Sequence, residues 1–145
     1  MPRRLSIRDG LDPAVEVTRH ALRARKLVYI IRARRRHKYA KGKSRVVYVG
    51  TTQRGVARIM ESAATKASVL LTRHGIERME IFIVTATQRQ HVPTWKKLER
   101  ALILEFKEMF GEPPLENKQG KRMVWRDEKK YFRRERLQDV IRGYS

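Results

Sequence analysis

The sequence predicts an α/β fold, a small central three-stranded antiparallel sheet flanked by helices. Three observations predict it. Short runs rich in β-branched and aromatic residues stand at residues 27–31, 45–50 and 79–84, each about the length of a strand. Apolar residues at helical spacing fill the segments between and after them. Glycine and proline mark the joins, at Gly50, Gly75, Gly111, Pro113 and Pro114. A chain of 145 residues, 41% of them hydrophobic, is enough for one modest core and too apolar for a disordered tail.

The elements follow in order. Residues 1–11 read as a basic, irregular arm. Asp12 followed by Pro13 gives an N-cap and a first helical position, opening a short helix to about Arg25. Residues 27–31 form the first strand and 45–50 the second, which Gly50 ends. The stretch 34–44 between them reads as a basic hairpin loop; residues 23–45 hold eleven Lys or Arg and no acid. Thr51 or Thr52 is read as the cap of a helix carrying Val56, Ile59, Met60 and Ala63, with a further helical stretch to His74 and a stop at Gly75. Residues 79–84 are the third strand. Thr94 is read as the cap of the longest helix, whose apolar stripe is Trp95, Leu98, Leu102, Phe106 and Met109. Gly111 and two prolines end it, a turn follows at 116–120, and a basic helix is expected from about Asp127 to Arg142. The expected division is an arm and short helix over 1–25, a central domain over 26–120 and a basic helical extension over 121–145.

Charge is the outlying property. Lys and Arg number 35 against 15 Asp and Glu, a net +20. Self-repulsion of this size disfavours the compact state, and a polyanionic partner relieves it. Neutralised phosphates would release counterions and make binding strongly salt-dependent. A membrane surface fits less well, because no segment joins this charge to one continuous apolar face. The apolar run at 27–31 is far too short to span a bilayer, and no secretory signal is visible. No cysteine is present, which removes disulfide frameworks and Cys-ligated zinc modules and fits a reducing, cytoplasmic setting.

Two motifs lead nowhere. Gly42-Lys43-Ser44 matches the tail of a phosphate-binding loop, but His37 stands where the first glycine belongs and a strand follows instead of a helix. The four histidines, His20, His37, His74 and His91, lack metal-ligand spacing and read as surface residues.

A third constellation is more informative. Tyr29 and Tyr48 occupy equivalent places in successive strands. Gly50 follows Tyr48 by two positions, and Arg58 follows Gly50 by eight, on the next helix. Glu99 borders the apolar stripe of the long helix, and Asn117 lies just past Pro113-Pro114. In this order the residues resemble the GIY-YIG nuclease superfamily over about residues 26–120. Leu27-Val28-Tyr29 stands at its first motif and Tyr48-Val49-Gly50 at its second. Arg58 matches its catalytic arginine, Glu99 its metal-binding glutamate and Asn117 its terminal asparagine. Leu27 replaces the glycine of the first motif, and Ser62 stands where the family usually carries His or Tyr.

The resemblance implies a Mg²⁺-dependent endonuclease that hydrolyses phosphodiester bonds without a covalent intermediate. Glu99 would then hold the metal, because a hard cation such as Mg²⁺ needs little more than one carboxylate, waters and a phosphate oxygen. Arg58 would fork onto phosphate oxygens. Tyr29 or Tyr48 would orient the attacking water or accept its proton, and Asn117 would position the helix or a ligand. Affinity for DNA or RNA is expected from Arg34, Arg35, Arg36, Lys38, Lys41 and Lys43 in the loop, and from Lys129, Lys130, Arg133 and Arg134 near the C-terminus. The alternative is a non-catalytic RNA-binding protein on the same fold, such as one embedded in or associated with ribosomal RNA. The extreme charge and both basic termini suit that role as well.

Overall fold

The computed structural model describes residues 4–7 and 25–145. The expected helix after Asp12-Pro13 lies outside the described residues. Strand β1 (Leu27–Tyr39) pairs antiparallel with β2 (Gly42–Thr52) on one side and with β3 (Met79–Val84) on the other, giving the order β2-β1-β3. Helix α1 (Val56–Arg73) connects β2 to β3; α2 (Thr94–Phe110) and α3 (Arg134–Tyr144) follow β3.

The central strand is apolar along its start because both of its faces are buried. Val28 and Ile30 join Val46, Val49, Leu98, Leu102, Phe106, Leu137 and Ile141 in a core on the α2–α3 side. Leu27, Tyr29, Ile31 and Ala33 join Val47, Ile59 and Leu70 in a second core beneath α1. Residues 121–145, expected as an extension, thus place Leu137 and Ile141 in the main core. Arg134 ties α3 to α2 through both oxygens of Glu105, a side chain with no exposure, and Gln138 adds a third bond to the same carboxylate. Among the described residues, no helix is long and apolar enough to cross a membrane.

Four expectations about local structure are corrected. The basic stretch 34–44 is not a loop. Both strands run through it, and only Ala40 and Lys41 separate them. Tyr39 anchors it from the core side, its hydroxyl donating to the Val46 carbonyl at 2.6 Å and its ring meeting Phe106 edge-on at 5.0 Å. Thr51 and Thr52 do not cap α1. They stay in the ladder opposite Val28 and Leu27, and the helix starts after Gly55, whose N–H is held by the Arg25 carbonyl. Gly55 has φ 71°, a turn that glycine makes at no steric cost. Likewise Thr94 is the first residue of α2, after Pro93, and makes no side-chain cap.

The last basic segment is not one helix either. A 3₁₀ turn, Glu128–Lys130, comes first, and α3 begins only at Arg134. Buried Glu128 accepts bonds from Arg100 at 2.6 Å and from the Arg126 N–H at 2.7 Å. The chain must turn there to deliver that carboxylate, so a continuous helix is not formed.

Two bulges shape the sheet. Ile31 faces Tyr48 while Arg32 faces Val46, so Val47 is an extra residue. Its carbonyl takes the Glu116 N–H at 2.9 Å. Further out, Arg32 faces Val46 and His37 faces Ser44, so residues 33–36 stand opposite Arg45 alone.

Candidate active site

The site forms at the end of the sheet where β1 begins and β2 finishes. Tyr29 packs beside Tyr48, with ring centroids 5.8 Å apart and planes tilted by 48°. The pair lies across Gly50, which faces Tyr29 in the ladder. A Cβ at Gly50 would stand 2.6 Å from the Tyr48 ring and 2.7 Å from the Tyr29 ring. Glycine is therefore required by the close approach of two rings rather than by a turn.

Burial pushes the Tyr48 phenol well above its ordinary value. Tyr29 and the nearby Glu99 carboxylate raise it further, while the Arg58 guanidinium opposes them. Tyr48 thus senses three of the other residues named from the sequence. Glu99 reaches this point from α2, beside the Thr51 side chain. Burial raises the Glu99 carboxyl, and Thr51, Arg100 and Lys96 offset only part of that. Arg58, on the first turn of α1, is half exposed and pairs with Glu61 at 3.0 Å. An exposed i,i+3 pair of this kind is worth about 0.3–0.5 kcal/mol, so a phosphate can displace Glu61.

Asn117 has a different task. Its side chain makes two 2.8 Å bonds with Val49, accepting from the N–H and donating to the carbonyl. The outer edge of β2 is thereby paired by residues 116–117 as if by another strand. Asn117 positions the strand that carries Tyr48.

The basic residues fall into two groups. Arg34, Arg35, Arg36, Lys38, Lys41 and Lys43 are all exposed. Lys129, Lys130 and Arg133 are exposed near the start of α3, with Lys129 lying 4.8 Å from the centre of the Trp125 ring. Arg134 is engaged within the fold by Glu105 and Glu108.

Sequence reasoning missed four neighbours of the site. Thr51 is the first. Lys66 lies two helical turns beyond Arg58 on the same face of α1, with Ser62 between them. Its ammonium stands 4.4 Å from the centre of the Tyr48 ring and 3.9 Å from a Glu116 oxygen. The other Glu116 oxygen meets His74 at 3.1 Å. The i+8 spacing from Arg58 was the available signal for Lys66. Nothing local points to Glu116, which arrives from the far end of the chain.

Protein-family models, curated proteins and solved structures gave no match to this chain.

Among the described residues, no three of His, Cys, Asp and Glu gather as metal ligands. The fit to a metal therefore rests on Glu99 itself. A half-buried carboxylate with a raised pKa and one hydroxyl neighbour lacks a full counter-charge, and a hard cation held otherwise by water and phosphate oxygens would supply it.

Proposed function

We propose that the protein is a nucleic-acid-binding phosphodiesterase that hydrolyses one strand at the site of Tyr29, Tyr48, Arg58 and Glu99, with Mg²⁺ held by Glu99. The carrying observation is that Tyr29 of β1 packs against Tyr48 of β2, and that Arg58 of α1 and Glu99 of α2 both act on the same Tyr48 phenol. Perturbed titratable groups brought together from separate elements mark functional sites more often than solvated surfaces do.

Each residue has a task that its surroundings allow. Arg58 leaves Glu61 and binds the non-bridging phosphate oxygens, stabilising the charge that grows as water adds to phosphorus and the leaving oxygen departs. Burial keeps the Tyr48 phenol protonated at neutral pH, which favours donation of a hydrogen bond over acceptance of a proton. Tyr48 with Tyr29 therefore orients the water or a phosphate oxygen. When bound, Mg²⁺ would act as a Lewis acid and lower the pKa of a bound water. The exposed arginines and lysines would supply the affinity, as a net +20 supports.

Duplex, single-stranded and branched DNA and RNA are incubated with Mg²⁺ and, separately, with EDTA. The expected result is Mg²⁺-dependent cleavage by the wild type, lowered roughly 10²-fold in Arg58→Ala. No cleavage of a substrate that is bound tightly would overturn the catalytic reading.

One observation favours the second reading, a non-catalytic RNA-binding protein. Ser62 stands on α1 between Arg58 and Lys66, and a serine does not accept protons near neutral pH without help. Under that reading the inactive protein co-sediments with ribosomes at low salt, and Ser62→His stays silent.

A further inference from the structure

A groove of about 550 Å³ lies between the segment after β3 and the start of α3. Its floor is apolar, with Val84, Leu98, Leu137 and Val140. Its rim is cationic. Arg89 stands on the β3–α2 connection, Arg133 and Arg136 at the start of α3, and among the described residues no acidic side chain lines the groove. Among the described residues, none of these arginines has a carboxylate within ion-pair distance. Arg89 is set by a tight turn in which Arg89 and Val92 form a bridge, and its guanidinium lies 5.6 Å from the centre of the Tyr131 ring.

An apolar floor with aromatic walls suits a flat heterocycle, and three guanidiniums without a carboxylate partner among the described residues suit a phosphate. Thr85, Thr87 and Gln88 add hydrogen-bonding groups that can meet the edge of a base. A purely apolar ligand would leave the arginines without purpose, and a duplex backbone alone would leave the floor empty. The groove also lies close to the candidate centre. Leu98 lines it, while the next residue, Glu99, belongs to that centre. Adjacent residues of a helix point about 100° apart, so the groove and Glu99 open on neighbouring sides of α2, within a few nucleotides of one another along a bound strand.

Building on the nucleic-acid reading above, we propose that this groove holds one unstacked nucleotide a few positions from the scissile phosphate, its base on the apolar floor and its phosphate on the arginine rim. The substrate class that follows is a strand with an unpaired or displaced nucleotide near the cut. Extracting a paired base costs a few kcal/mol that an unpaired base does not incur, so the groove selects against perfect duplex.

The test uses the full chain in EDTA, so that binding is read without cleavage. Affinity is measured for a duplex carrying one unpaired 5-iodouracil nucleotide and for the fully paired duplex of the same flanking sequence. The expected result is about tenfold tighter binding to the bulged duplex, a preference lost in Arg89→Ala/Arg136→Ala. Irradiation is expected to cross-link the unpaired base to Tyr131 or Phe132 of the wild-type protein, which requires no variant to fold. Equal affinity for the two duplexes overturns this inference alone. A cross-link confined to other peptides also overturns it and leaves the groove to another occupant, such as an acidic protein segment. Binding to neither duplex overturns the nucleic-acid reading itself.

Discussion

Two glutamates on α2 show how one residue type serves two purposes. Glu105 is fully buried and satisfied by Arg134 and Gln138, so it holds α3 in place. Glu99 is half buried, pairs with no arginine or amide within hydrogen-bond distance among the described residues, and has a pKa raised by burial that Thr51, Arg100 and Lys96 offset only in part. The sign of that shift makes a prediction. A raised pKa means that the folded chain keeps the proton to a higher pH than the unfolded chain does. Folding is therefore opposed once the carboxylate ionises, and stability is lost as pH rises through the folded pKa. Glu99→Gln removes the ionisation. Its thermal midpoint should match that of the wild type at acid pH and exceed it at pH 8 in EDTA, with Mg²⁺ closing the gap by stabilising only the wild type. Cleavage should be lost and affinity for nucleic acid kept. Melts that run parallel at every pH would show Glu99 to be an ordinary solvated side chain.

At the scale of elements, the β1–β2 ribbon decides how charge is presented. The bulge that sets residues 33–36 against Arg45 breaks the alternation of a regular strand and exposes three consecutive arginines. Tyr39 fixes the ribbon from behind, so these side chains project from a rigid support. Replacing Arg34, Arg35 and Arg36 together with glutamine should flatten the dependence of log K on log salt by about three units, with similar loss on every sequence tested. The thermal midpoint should change little, because exposed charges contribute little to folding. An unchanged slope would mean that the ribbon does not meet phosphate.

For the whole molecule, a net +20 on 145 residues acts on folding and on binding with opposite signs. Salt screens the self-repulsion of the folded chain and also screens its attraction to a polyanion. Raising monovalent salt from tens to hundreds of millimolar should raise the thermal midpoint, by about 3 °C for each kcal/mol of repulsion relieved, while affinity for nucleic acid falls. A midpoint that falls with salt would show that attractive ion pairs, such as Arg134 with Glu105 and Lys97 with Asp127, outweigh the repulsion.

The sequence by itself determined the layout. β-Branched runs located three strands, though not the ends of β1 and β2, and an apolar stripe stopped by Gly111 located the long helix, because hydrophobic periodicity and backbone breakers are local properties. The spacing of Tyr29, Tyr48, Arg58 and Glu99 was legible for the same reason. What failed was decided by pairing at a distance. Thr51 and Thr52 have the chemistry of caps, but the start of β1 held them in the ladder. The basic stretch has the composition of a loop, but Tyr39 and the α2 core drew it into strands. The buried carboxylate of Glu128 needed Arg100, and so broke the last helix. Lys66 reaches the Tyr48 ring from α1, and Glu116 meets Lys66 because residues 116–117 dock on the outer edge of β2. Local pattern names the elements, whereas burial and backbone satisfaction, which depend on what arrives from elsewhere in the chain, settle where each side chain ends up.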